Sequence, residues 1–180
     1  MQGQITKTAA LAAVFTALYV CLYRLSGIIS GNEAFGGFAS LFFLPAFVRL
    51  LAFLIIGYWS IPALFVAALF CVDLGLGPDG RIVVSAFLAV GAPLGIAVAM
   101  QMVELDLSLS NLTPSRLLWL SMGSALGNAV AYQTGLSIVG FETHGLLERA
   151  VTFIGDTAGT WTIIYILKAS LTIIGRSLSR

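Results

Sequence analysis

The sequence predicts an all-α fold: one integral membrane domain over residues 1–180, with about six transmembrane helices. Apolar residues make up 59% of the 180 residues and charged residues 9%, with a mean hydropathy of +1.01. A soluble domain carries about 25% charged residues. The apolar residues also form runs near the ~20 residues that cross a hydrocarbon core. The six runs are 8–29, 40–58, 61–77, 82–103, 115–140 and 149–174.

Composition excludes several classes of protein. The net charge of +1 is too small for a nucleic-acid surface. Cys21 and Cys71 both fall inside apolar runs, and with a single histidine they form no recognisable metal site. The sequence has no GxSxG, HExxH or phosphate-binding glycine motif. We therefore expect no enzymatic activity, no cofactor and no metal.

The first run carries alanine at every fourth position, Ala9, Ala13 and Ala17, which puts all three on one helix face. Small residues at this spacing let a second helix approach closely. Two interpretations remain open. The face packs inside the bundle, or it docks another subunit.

The second and third runs predict a tight helical hairpin. Gly57 ends one helix, and Pro62 falls in the first turn of the next. In the fifth run Gly123 and Gly127 form a GxxxG motif, the second small-residue face of the chain. We expect at least one of the two small-residue faces to bind another membrane protein or a second copy of this chain.

Three charges interrupt the apolar runs: Arg49, Asp73 and Asp156. From a rise of 1.5 Å per residue, they lie about 13, 6 and 10 Å below the same membrane face. An unpaired charge in hydrocarbon is costly. We therefore expect Arg49 to pair with Asp156, with Asp73 as the alternative or third member.

This network has two interpretations. It is either a structural pair that fixes how the helices meet, or part of a polar cavity that binds a ligand or moves a proton. Asn128 and Gln133 lie in the fifth run. They join this network in either case, or they form separate interhelical hydrogen bonds.

The cations at the ends of the runs predict the orientation. With the N-terminus inside, five cations lie on or near the inner face and three on or near the outer face. Cytoplasmic loops carry an excess of Lys and Arg. We expect a multi-pass protein of the bacterial inner membrane, in contact with lipid and with both termini cytoplasmic.

Two stretches together resemble the membrane-associated sensor domains of the MASE type, first class. One is LPAFVRLLAFLIIGYWSIPALFVAALFCVDLG, and the other is FIGDTAGTWTIIYILK with a Gly-Asp-x-x-Gly element. The positions that carry the resemblance are Pro45, Gly57, Pro62, Gly155, Asp156 and Gly159.

This resemblance implies a sensor that works with signalling proteins. Family members usually have more helices and are fused to cytoplasmic signalling modules, whereas this sequence ends at Arg180. The expectation is a short stand-alone form without an output domain, acting as a sensor or accessory subunit through contacts with partner membrane proteins.

The alanine-rich first helix also resembles the substrate-capture subunits of energy-coupling-factor vitamin transporters. In those subunits a small-residue face on helix one docks the transport module, and Ala9, Ala13 and Ala17 fit this pattern. The alternative function is therefore binding of a small molecule for transport.

Overall fold

The computed structural model describes residues 2–30, 42–72, 75–106, 108–141 and 145–178, and within these ranges all regular structure is helical. In these described ranges six α-helices follow one another. They are α1 (Gln2–Ser30), α2 (Pro45–Ile56), α3 (Ser60–Cys71), α4 (Gly77–Met102), α5 (Pro114–Ile138) and α6 (Leu146–Leu178).

Several helices begin where the sequence places a proline in the first turn. Pro45 and Pro114 are the first residues of α2 and α5, and the Thr113 hydroxyl caps α5 by accepting from the Arg116 amide. Pro78 is the second residue of α4 and follows Gly77, which has a φ of 70°. Helix α4 therefore begins five residues before the run 82–103 that predicts it.

Four segments are long and apolar enough to cross a membrane: Ile5–Ile29, Pro45–Cys71, Gly77–Met102 and Leu146–Thr172. The chain is accordingly an all-helical membrane protein. By this criterion four spans are supported, against the six that the sequence predicts. Helix α5 falls outside the set because it carries polar side chains, and Pro45–Cys71 counts once although it contains two helices.

The segment Pro45–Cys71 is a hairpin. A short 3₁₀ turn at 57–59 separates α2 from α3, and Gly57 adopts φ 57° and ψ −136°, which favours glycine. Arg49 of α2 donates a hydrogen bond to the Tyr19 hydroxyl of α1. One turn earlier in α1, the Thr16 hydroxyl donates to the Ala63 carbonyl of α3. Residues on both arms lie beside neighbouring turns of α1, so α3 runs back alongside α2.

Helix α2 is the centre of the bundle and contacts each of the other five helices. Around it the neighbours follow the order α1, α3, α4, α5 and α6. Helices α6 and α1 make little contact with each other, so this ring has a seam between them. Seven of the twelve residues of α2 are buried.

Helices α4 and α5 approach each other most closely. Gly91 and Gly95 of α4 face Gly127 and Gly123 of α5. A methyl group added at Gly123 would lie 2.6 Å from the Gly95 carbonyl oxygen and 2.7 Å from the Ala99 methyl group. The GxxxG motif of the fifth run is therefore used inside the chain.

Candidate functional site

The most polar place in the bundle is an ion pair between α2 and α6. Arg49 Nη1 lies 2.8 Å from Asp156 Oδ2, and the side chains are 3% and 2% exposed. The pair expected from the similar depths of these two residues is therefore present. Because the two opposite charges meet directly, neither is left alone in the apolar interior.

Two further helices bind this pair. Asn128 of α5 donates its side-chain amide to Asp156 Oδ2 over 2.7 Å. Arg49 Nη2 donates to the Tyr19 hydroxyl of α1 over 3.1 Å. One buried network, formed by Tyr19, Arg49, Asn128 and Asp156, thus connects α1, α2, α5 and α6.

Aromatic rings surround the arginine. The guanidinium carbon lies 4.8 Å from the centre of the Phe43 ring and 5.5 Å from that of Tyr19. Phe43 also meets the rings of Tyr19 and Tyr23 edge to face. A desolvated cation gains about 2 kcal/mol from such a ring, so these contacts offset part of the cost of burying Arg49.

The Gly-Asp-x-x-Gly element has a local structural reason. The Phe43 amide donates to the Gly155 carbonyl over 3.1 Å, and a methyl group at Gly159 would overlap the backbone carbonyl of Phe43. The absence of a side chain at Gly159 lets the backbone before α2 lie against α6, and the Gly155 carbonyl holds it there by accepting from Phe43. Asp156, between them in sequence, then faces Arg49.

The other positions that carry the sequence resemblance lie in the hairpin. Pro45 is the first residue of α2, Gly57 forms the turn, and Pro62 is the third residue of α3. Pro45 therefore begins a helix, Gly57 lets the chain reverse direction, and Pro62 lies in the first turn of the next helix. None of these three residues belongs to the ion-paired network.

Gln133 is buried in α5 but does not join the network. It is 1% exposed, and neither its amide nitrogen nor its amide oxygen has a hydrogen-bond partner among the described residues. Asp73, predicted as the alternative partner of Arg49 or as a third member of the network, lies outside the described residues.

The two small-residue faces have different surroundings. Gly123 and Gly127 pack against α4, whereas Ala9, Ala13 and Ala17 are all exposed on the outer surface of α1. The residues of α1 that face the bundle are others, including Phe15 and Tyr19.

Sequence reasoning missed Tyr19 and Phe43. Tyr19 has a polar tip, and its spacing of four from Phe15 puts it on the bundle-facing side of α1. From the sequence alone, this spacing shows that the two residues share a face, but not that this face meets the bundle. Phe43 gave no such signal, because its contact with Arg49 depends on the backbone path before α2.

The fold and the site define this chain as an all-helical membrane protein with a buried arginine–aspartate pair at the meeting point of four helices. No protein-family model matches the chain. No curated protein and no solved structure matches it either.

Proposed function

We propose that this protein is a membrane sensor or accessory subunit of the MASE type that acts through contacts with partner membrane proteins. The observation that carries this proposal is the link that Arg49 makes between α1 and α6. Arg49 binds Tyr19 on α1 and Asp156 on α6, and these two helices otherwise make little contact. A change at the network alters how α1 and α6 sit relative to each other.

Both helices extend past the rest of the bundle at the same end. Thr16 lies beside Ala63, near the start of α3, so residues 2–15 continue about 20 Å further. Trp161 of α6 bonds Ser121, seven residues into α5, and α6 continues to 178. By helix rise, α6 then extends about 15 Å past the first residue of α5. This arrangement suits transmission of a shift from the network to the two chain ends.

We propose six membrane crossings in the bacterial inner membrane, with both termini in the cytoplasm. The alternating helix directions support this: α2 and α3 form a hairpin, Gly91 and Gly95 lie against Gly127 and Gly123 in reverse order, and α5 and α6 are also antiparallel. An even number of passes brings both ends to one side. The five-to-three cation bias then favours the cytoplasmic side.

The proposed partner surface is the exposed face of Ala9, Ala13 and Ala17. The other small-residue face is occupied by α4 within the chain, which leaves this one for an outside helix. The occupant is another membrane protein or a second copy of this chain. Close packing of small residues is what favours helix association in lipid, since lipid tails are as apolar as the helix surface.

The test is cross-linking in native membranes. In a variant without Cys21 and Cys71, a cysteine at position 9 or 17 should cross-link to a partner or to itself. Ala13→Leu should abolish the cross-linked product while the protein still inserts and folds. The matched control is Val14→Leu, since Val14 is exposed on α1 beside this face but not on it. Equal cross-linking in Ala13→Leu and Val14→Leu contradicts the proposal.

The alternative function is the substrate-binding subunit of an energy-coupling-factor type transporter. The same exposed alanine face favours it, because that face lies on the first helix in such subunits. The two functions differ in the identity of the cross-linked partner. A transport module argues for this alternative, and a signalling enzyme argues for the sensor.

A further inference from the structure

Three buried side chains on neighbouring helices carry polar atoms without a partner. They are Ser85 of α4, Gln133 of α5 and Thr152 of α6, with exposures of 0%, 1% and 9%. The Ser85 and Thr152 hydroxyls and both amide atoms of Gln133 have no hydrogen-bond partner among the residues described. We refer to Ser85, Gln133 and Thr152 as the outer polar layer.

These residues lie at one height in the bundle. Asn128 of α5 is opposite Asp156 of α6, and the two helices are antiparallel. Gln133 is five residues after Asn128, and Thr152 is four residues before Asp156. Both therefore lie on the same side of the Asn128–Asp156 contact, at about 7.5 Å and 6 Å along the helix axes. Gly91 is opposite Gly127, and Ser85 and Gln133 are each about 9 Å beyond that level. Helix α5 lies between α4 and α6, so the layer crosses three adjacent helices.

The two hydroxyls of the layer differ from other helical hydroxyls in this protein. A helical serine or threonine commonly donates to the carbonyl four residues earlier. Described side chains that do so here include Thr16, Thr134, Thr157, Thr160, Thr162, Ser170 and Thr172. Ser85 and Thr152 lie within helices with the same carbonyls available, yet their hydroxyls do not make this bond.

Leaving such groups unpaired in an apolar interior is unfavourable. A buried donor or acceptor without a partner costs about 1–3 kcal/mol, and buried polar groups in proteins are nearly always satisfied by protein or by ordered water. Here one layer contains both donors and acceptors, from two hydroxyls and one amide. Their natural partner is a neutral group that both donates and accepts hydrogen bonds.

We propose that the outer polar layer binds a small neutral hydrogen-bonding occupant held between Gln133 and Thr152. Its chemistry is that of a hydroxyl or amide group, supplied by ordered water or by a small molecule. The unpaired Asn128 Oδ1 lies on the inner side of the layer. Along the helix axes, the occupant lies about 6–7.5 Å outward of the contact between Asn128 and Asp156.

The test is a double-mutant cycle on melting temperature, with Gln133→Met, Thr152→Val and the double variant. With a shared occupant, each single variant melts lower, by about 4 °C at roughly 1–2 kcal/mol lost. The double variant then melts higher than the sum of the two losses predicts. The first change already weakens binding of the occupant, so the second change removes fewer of its hydrogen bonds. Without an occupant, Gln133→Met removes an unpaired amide and the melting temperature stays or rises, which overturns the proposal.

The matched control is Ser60→Ala combined with Gln133→Met. Ser60 is also fully buried with an unpaired hydroxyl, but it lies at the hairpin turn, at the other end of the bundle. These two changes should add, since distant sites without shared partners are independent. Non-additivity in this control as large as that between Gln133 and Thr152 overturns the shared site.

A second measurement separates the two sources of the occupant. The wild-type protein is melted before and after exhaustive detergent exchange. A wild-type melting temperature that falls to that of the double variant identifies an exchangeable small molecule. A melting temperature that stays above the variant identifies water, which exchange cannot deplete. Both results support the site, provided that the mutant cycle is non-additive.

Discussion

Removing one member of the Arg49–Asp156 pair should destabilise the bundle more than removing both. The structure supplies the reason. Both side chains are almost fully buried, and the charged atoms are 2.8 Å apart. Arg49→Ala leaves the Asp156 carboxylate with the Asn128 amide as its described polar partner. Asp156→Ala leaves the guanidinium with the Tyr19 hydroxyl and the aromatic rings.

The magnitude follows from the cost of an uncompensated buried charge. Breaking a buried ion pair on one side costs about 3–5 kcal/mol, whereas replacing both partners is often much less costly. For a chain of this size, about 1 kcal/mol lowers the melting temperature by roughly 2–4 °C. Each single variant should therefore melt about 6–20 °C lower. The double variant, Arg49→Ala with Asp156→Ala, should recover a large part of this loss.

The assay is thermal unfolding of the purified protein in mild detergent, followed by tryptophan fluorescence. The control is Arg116→Ala. Arg116 is at the start of α5, where its side chain donates to the Asn111 carbonyl over 2.7 Å, so its removal should cost about 1 kcal/mol. A double variant as unstable as the worse single variant would refute this reasoning, and so would single variants that match the Arg116 control.

Two further predictions follow from the helix directions and from the closest helix contact. Asp79 is exposed at the start of α4, so Asp79→Cys is made in a background without Cys21 and Cys71. This cysteine should react with a membrane-impermeant thiol reagent added outside intact cells. Reaction only after the cytoplasm is opened contradicts the proposed orientation. Gly123→Ala should lower the free energy of unfolding by about 1–3 kcal/mol, because its methyl group would lie 2.6 Å from the Gly95 carbonyl oxygen. Gly3→Ala, with nothing within 4 Å of its added methyl group, is the matched helical control, and equal stabilities of the two variants contradict the close approach.

The helices were predictable because their signal is local. Each run of apolar residues is visible in the sequence, and Gly57 marks the hairpin turn. The starts of α2 and α4, at Pro45 and Gly77, each differ by five residues from the runs 40–58 and 82–103. The partnership of Arg49 and Asp156 was also predictable, since helix rise gives the depth of each charge and an unpaired charge in hydrocarbon is costly.

The surroundings of the pair were less predictable. The sequence offered Gln133 either for the network or for a separate interhelical hydrogen bond, but Gln133 makes neither contact with the described residues. Tyr19 and Phe43 complete the network instead. Depth says which residues share a level, but not which way each helix is rotated. The rotation depends on how all six helices pack together.

By itself, the sequence determined the class of this protein, because composition and the length of apolar runs set the solvent that each helix can tolerate. It also determined that the intramembrane charges need partners. The tertiary structure alone decided which small-residue face is used. Gly123 and Gly127 meet two glycines of α4, so their backbones touch, while Ala9, Ala13 and Ala17 remain exposed. Both stripes satisfy the same local rule, and only the packing of the whole bundle determines which of them finds a partner within the chain.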